Sequence, residues 1–381
     1  MHRFPMAMLA LVSMFALSSC APFTAWFEHA ANDPKLQLVG RMDHTNPEQP
    51  LWAFPGTAAR FRCNCTGVDV AFEDLGSGGE EHTNWVNVIV DGKTEVKLEL
   101  KPKATWLKGA RGLPPGEHTI EIVKRTEAYA GVVRFFGVSV QGVLLDPPPR
   151  PERRLEIIGD SISCGYGNEA SITTTNAYTE PNTGFHSKNE DISQAYGTFL
   201  GRRFNAEVMS TCISGTGIYR NNNGATEGTF PDRYGRTLPD NEDSQWDLSS
   251  FVPDIIIINL GNNDFNVVDP TDNLPTAPDA EPFKAAYAAF VRRLRGLYPA
   301  AHIICSIGPM LNDSYPKDRQ HWTKMQEYVS TMVASLGDAG VHYFAYTPIQ
   351  GDPYGEDWHP TANGHAAMAA EIGTFIEGLG W

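Results

Sequence analysis

Apolar and polar residues alternate with period two over residues 68–73 and 87–90, and the turn pair Asp91-Gly92 follows the second stretch. That rhythm belongs to strands with one face in a core and the other in water. Residues 119–124 and 132–138 are further strands of the same kind, with Pro114-Pro115-Gly116 punctuating before them. Several short strands at loop-sized spacing, with almost no helical period, predict a β-sandwich or jelly roll over residues 36–146. Pro147-Pro148-Pro149 cannot continue a strand and closes it.

Past Pro151 the pattern changes. Residues 155–159 and 254–260 are compact apolar runs, and 302–307 and 341–344 are weaker ones. Uninterrupted runs suit strands covered on both faces. Helical spacing separates them. Phe283, Tyr287, Phe290, Val291 and Leu294 repeat at helical intervals, as do Met325, Tyr328, Val329, Met332 and Leu336, and then Ala369, Ile372, Ile376 and Leu379. Strand and helix in alternation predict an α/β domain over 152–381, a three-layer α/β/α arrangement on a parallel sheet. Two domains therefore meet near residues 146–152.

Composition fits two cores. Of 381 residues, 41% are hydrophobic and 20% charged, which excludes a disordered chain. Lys and Arg number 30 against 45 Asp and Glu, a net charge of −15 that disfavours nucleic acid as a partner. Met1-His2-Arg3, an apolar run over 4–17 and Leu17-Ser18-Ser19-Cys20 describe a secretory signal peptide over 1–19. The run is shorter than the roughly 20 residues that span a bilayer. Leu-Ser-Ser-Cys resembles the bacterial lipobox, which implies lipidation of Cys20 and an exported, membrane-anchored lipoprotein. Ala21 after the cysteine resembles outer-membrane sorting in a Gram-negative cell. Residues 20–35 then read as a tether and linker.

Cys63, Cys65, Cys164, Cys212 and Cys305 remain beyond Cys20, an odd count that leaves at least one free thiol in an exported chain. Cys63 and Cys65 share one face of a strand, without the spacing of a zinc site. A Cys164–Cys212 disulfide stays open. Neither a metal nor another cofactor is expected.

Ligands of open α/β sheets bind beyond the carboxyl ends of the strands. After the first apolar run stands Gly159-Asp160-Ser161-Ile162-Ser163-Cys164-Gly165-Tyr166-Gly167, a serine on a glycine-flanked turn. A hydroxyl needs a base within hydrogen-bond reach to become a nucleophile. Gly261-Asn262-Asn263-Asp264 follows the central run, where an Asn amide can face developing oxyanion charge. Ile213-Ser214-Gly215-Thr216-Gly217 offers a glycine N–H as a further donor. Near the C-terminus, Gly355-Glu356-Asp357-Trp358-His359-Pro360 sets a histidine behind two carboxylates. Singly, each is more often turn or surface chemistry; together they fall at strand ends of one domain.

In that order, Gly159-Asp160-Ser161, Gly215, Gly261-x-Asn263-Asp264 and His359 match the four blocks of the SGNH (GDSL-type) hydrolases. Gly-Asp-Ser-Ile-x-Cys-Gly-Tyr-Gly and Asp-Trp-His-Pro more narrowly resemble carbohydrate esterase family 2, which sets a jelly roll before its hydrolase domain. Lys124-Arg125-Thr126-Glu127 and Phe136-Gly137 extend the resemblance into the first domain, so that it runs from Val39 onward. Asn262 stands where Thr is common in the family. The resemblance implies Ser161 as nucleophile, His359 as general base and acid, and an oxyanion hole of the Ser161 N–H, the Gly215 N–H and the Asn263 amide. It leaves the acid open between Asp357, by side chain or carbonyl, and Glu356, with Asp357 preferred. Trp358 and Tyr219 are the sugar-stacking candidates, with core packing as the alternative role.

The implied function is a serine esterase removing O-acetyl groups from a polysaccharide or oligosaccharide of xylan or glucomannan type, with 6-O-acetyl groups a plausible preference, acting as a monomer. Two alternatives stay open. One is a GDSL-type lipase or thioesterase with an acyl channel; the other is a catalytically inactive carbohydrate-binding lipoprotein.

Overall fold

The computed structural model describes residues 25–173, 183–349 and 353–381. The leader, and with it the lipidation expected at Cys20, lies outside the described residues.

An antiparallel sheet of ten strands comes first. Its members are β1 (Phe27–Ala30), β2 (Gln37–Val39), β3 (Met42–Asp43), β4 (Leu51–Trp52), β5 (Ala58–Asp74), β6 (Trp85–Val90), β7 (Lys93–Glu99), β8 (Thr105–Arg111), β9 (Glu117–Lys124) and β10 (Val133–Leu145). The long β5 organises it, pairing with β9 along its first half, β8 along its second and β10 along most of its length. Phe61, Cys63 and Cys65 face the core, and then Val68, Val70 and Phe72 do, so the inward set switches from odd to even positions. The cause is a bulge: Val140 faces Val68 and Gly142 faces Cys65, leaving two residues of β5 opposite Gln141 alone. One inserted residue bends the strand and keeps its apolar side on the core.

The sheet corrects the expected linker. Phe27–Ala30 is not tether but a strand paired with residues 137–140 of β10, because that edge offers unpaired backbone groups. Cys63 and Cys65 are joined in a disulfide. Cys164 and Cys212 are both buried free thiols, so the bridge left open between them is not formed.

The second sheet is parallel, in the order β12-β11-β13-β16-β17, from β11 (Arg153–Gly159), β12 (Ala206–Cys212), β13 (Ile255–Asn259), β16 (His302–Ile307) and β17 (Val341–Ala345). A hairpin of β14 (Val267–Asp269) and β15 (Leu274–Thr276) stands apart. The helices are α1 (Ser161–Cys164), α2 (Tyr196–Phe204), α3 (Phe230–Arg233), α4 (Ala280–Leu297), α5 (His321–Leu336) and α6 (Ala362–Gly378). Ile255 and Ile257 pack with Leu200 of α2 and Ile372 of α6, whereas Ile256 and Ile258 pack with Tyr287 of α4 and Val329 of α5. Both faces of the sheet are therefore covered, which is why its strands read as unbroken apolar runs. Each fully buried isoleucine contributes about 1.5–3 kcal/mol.

Charged side chains tie the two sheets together. Arg41, just before β3, reaches Glu156 on β11 at 3.0 Å with both side chains about 1% exposed. Thr211 and Tyr234 hydroxyls donate to the same carboxylate, each at 2.9 Å. Arg125 donates to Asn87 at 2.8 Å within the first domain, and to Asp191 at 3.1 Å and Glu169 at 2.6 Å in the second.

Candidate active site

Ser161 opens α1 directly after β11. Asp160 caps that helix, its carboxylate accepting the Ile162 N–H at 3.1 Å. Burial pushes the Asp160 carboxyl up to about 7. Gly159 has no room for a side chain, since a Cβ there would lie 2.0 Å from Ser163 Oγ. The missing side chain lets α1 pack directly against the end of β11, which leaves Ser161 at the carboxyl edge of the sheet.

His359 comes from the segment between β17 and α6, and its Nε2 lies 2.7 Å from Ser161 Oγ. Nδ1 is bound by the carbonyls of Glu356 at 2.9 Å and Asp357 at 3.2 Å. Asp357 and Trp358 both hold the left-handed conformation, φ 50° and 60°, which folds those carbonyls back onto the ring. Such backbone costs about 1–3 kcal/mol per residue and gathers where function requires it. Burial drives the imidazole down to about 4, against the opposing pull of the Glu356 carbonyl.

Neither candidate acid touches the imidazole with its side chain. Glu356 accepts from the His186 N–H at 2.8 Å and from Asn189 at 2.7 Å, and pairs with the His186 ring at 2.6 Å. Asp357 accepts from the Tyr166 hydroxyl and from the Gly184 N–H. Of the two forms expected for Asp357, the side-chain one is not seen; its carbonyl does meet the ring, and the Glu356 carbonyl lies closer. Tyr166 also stacks on His359, with ring centroids 4.2 Å apart and planes at 24°.

Gly215, at φ 75°, and Asn263 line the same cavity as Ser161 and His359. The Asn263 amide donates to Thr216 O at 2.9 Å and, more weakly, to Asp160 at 3.3 Å. Asp264 accepts the N–H groups of Ile218, Tyr219 and Arg220 and so braces the loop after Gly215. Trp358 lines the cavity as expected. Tyr219 does not: it packs against the hydrophobic core beneath, held by its backbone bond to Asp264.

The cavity holds about 720 Å³ and crosses the domain boundary, with Glu81 and Tyr129 of the first domain on its wall. Phe185 continues the aromatic lining, 4.5 Å from Tyr166 and 5.7 Å from Tyr129 by ring centroids. Sequence reasoning missed Phe185, Tyr129 and Glu81, which lie in separate loops without a local signature. Among the described residues, Glu127, Cys164 and Glu190 bring ligand-type atoms within 4.8 Å of one another. Lys124 is buried beside them, its ammonium donating to the Thr126 and Glu127 carbonyls, and burial pushes it down to about 8 while pushing both carboxyls up. No helix among the described residues is long and apolar enough to cross a membrane.

Residues 38–149 match the carbohydrate esterase 2 N-terminal family, and residues 157–367 match the GDSL-like lipase/acylhydrolase family. The cellulase/esterase CelE of Acetivibrio thermocellus is 34% identical over 92% of this chain, which spans 40% of that protein's length. An acetylxylan esterase / glucomannan deacetylase of Cellvibrio japonicus is 29% identical over 96% of this chain and 95% of its own. The structure of a family two carbohydrate esterase from Clostridium thermocellum in complex with cellohexaose superposes with a TM-score of 0.80. That structure is 33% identical, covering 91% of this chain and 99% of its own.

Proposed function

Since the chain belongs to carbohydrate esterase family 2, we propose that it is a serine esterase removing O-acetyl groups from polysaccharides or oligosaccharides through an acetyl-serine intermediate. The observation that carries this reading is the 2.7 Å contact between His359 Nε2 and Ser161 Oγ. Two carbonyls at Nδ1 favour the tautomer that carries its proton there, which leaves the Nε2 lone pair facing the serine.

Ser161 Oγ attacks the acetyl carbonyl carbon as His359 Nε2 takes the hydroxyl proton. The negative charge that forms on the carbonyl oxygen is met by the Ser161 N–H, the Gly215 N–H and the Asn263 amide. Of the two Asn263 amide bonds, the longer one to Asp160 is the one exchanged for the oxyanion. Each donor of this kind supplies about 3–4 kcal/mol. Collapse expels the sugar alcohol, which takes the proton from His359. Water, deprotonated by the same nitrogen, then releases acetate and restores the serine.

The polymers proposed are acetylated xylan and glucomannan, with 6-O-acetyl groups preferred. Trp358 and Tyr129 offer faces on which a sugar ring can stack. We also propose that the chain is exported as a monomer and anchored through a lipidated Cys20, in the outer membrane if the cell is Gram-negative. Cys20→Ala then releases it from the membrane fraction.

Acetate release from acetylated xylan, glucomannan and monosaccharides tests the function. Ser161→Ala lowers kcat by about 10⁶-fold on the scale of nucleophile deletions. Unchanged turnover in that variant, together with unchanged fluorophosphonate labelling of the wild type and the variant, overturns the reading. A p-nitrophenyl ester series that keeps its rate beyond acetate points instead to a GDSL-type lipase or thioesterase.

A further inference from the structure

We propose that Glu127, a residue of the first domain, is a positioning residue for the oxyanion-binding turn of the second. The inference rests on the reading of the Gly215 N–H as an oxyanion donor. Glu127 lies just past β9 and is 0% exposed. One carboxylate oxygen accepts the Ser214 N–H at 2.7 Å and the other accepts the Ser214 hydroxyl. Both oxygens thus engage one residue across the domain boundary, the one that precedes Gly215, and the carboxyl group also meets Cys164 and Glu190.

The peptide plane joining Ser214 to Gly215 carries the N–H that meets the oxyanion. Its direction is set by ψ of Ser214, and holding that residue at both N–H and hydroxyl anchors the peptide and the Cα from which that rotation is made. Unheld, the turn is permissive, because Gly215 and Gly217 bracket it and Gly215 sits at φ 75°. Glu127 is itself clamped. Its N–H donates to Glu190 at 2.9 Å and its carbonyl accepts from Lys124 at 3.1 Å. A buried carboxylate is a costly way to join two domains when apolar packing suffices. Directed at two donors beside a reacting centre, it gives what an oxyanion site needs, donors already in place before charge develops.

The test uses the full chain and p-nitrophenyl acetate. Glu127→Ala is expected to lower kcat about 10-fold to 100-fold, the scale of a displaced donor, with KM within about twofold. Fluorophosphonate inactivation slows in parallel. Glu127→Gln retains both contacts, its amide oxygen accepting the Ser214 N–H and its NH₂ donating to the Ser214 hydroxyl, and keeps kcat within about threefold. Thermal midpoints are read alongside. A Glu127→Ala enzyme with wild-type kcat, whatever its melting temperature, overturns the proposal, as does a folded Glu127→Gln enzyme that falls as far as Glu127→Ala. Should Glu127→Ala not fold, Ser214→Ala removes the hydroxyl arm alone and is expected to cost about 3-fold to 10-fold in kcat; no loss there overturns it equally. Retained turnover in Ser161→Ala defeats the esterase reading, whereas an active wild type, a dead Ser161→Ala and an unaffected Glu127→Ala defeat only this inference.

Discussion

Among the described residues no carboxylate side chain meets the ring of His359, the proposed base, and that changes what its neighbours are worth. In a triad built on an Asp side chain, losing the carboxylate costs about 10⁴-fold in kcat. Here the ring is held by two carbonyls, so Asp357→Asn is expected to lower kcat less than about 10-fold, measured with p-nitrophenyl acetate. The pH profile follows from the same burial. The base must be neutral to accept the serine proton, and its folded-state pKa is lowered to about 4. Activity is therefore full above that value and lost as pH falls through it. Log kcat/KM should show an acid limb centred near 4 rather than near the ordinary 6.5. An acid limb at 6.5 contradicts the buried-imidazole picture. Ser161 and Asn263 stand out because each directly follows an apolar run, whereas Gly215 and His359 stand out only by their motifs. The support of His359 was not, since no sequence reveals which atom of Glu356 or Asp357 faces the ring.

Elements contribute through their ends. Four loops that leave the carboxyl edge of one parallel sheet supply the serine, the glycine, the asparagine and the histidine. The antiparallel sheet adds a wall through the loop between β9 and β10, where Tyr129 is 46% exposed and its hydroxyl donates to Glu81 at 3.0 Å. A ring fixed in this way loses little entropy when a sugar stacks on it. Tyr129→Ala is expected to raise KM for an acetylated oligosaccharide about 5-fold to 10-fold, while kcat/KM for p-nitrophenyl acetate stays put. Equal effects on both substrates would mean that the ring supports the fold rather than the glycan. The strand pattern was readable from period two, but the bulge in β5 was not. Both of its flanks alternate correctly, and only the pairing with Gln141 shows the inserted residue.

As a whole molecule, the two domains act as one unit. The Arg41–Glu156 pair is buried between them, and removing one partner strands a charge in the interior. Arg41→Ala should cost about 3–5 kcal/mol of unfolding free energy, read from urea titration. If Glu156 is solvated in the folded protein, that loss shrinks to surface-pair size, below about 1 kcal/mol. With Arg125 bonded to Asp191 and Glu169 as well, calorimetry of the wild type should show a single transition. Two separated transitions would mean that the interface carries little energy.

Local signals run along the chain, and the sequence is enough for whatever they encode: two periodicities, a change of pattern near 146–152, and the strand-end motifs proposed to carry the chemistry. Tertiary structure alone decided the rest. It turned a presumed linker into β1, left Cys164 and Cys212 unbridged, withdrew Tyr219 beneath the cavity and set Glu127 behind the oxyanion turn. The physical reason is reach. Periodicity reports which side of an element is apolar, whereas a hydrogen bond between residues 87 positions apart depends on how two domains meet.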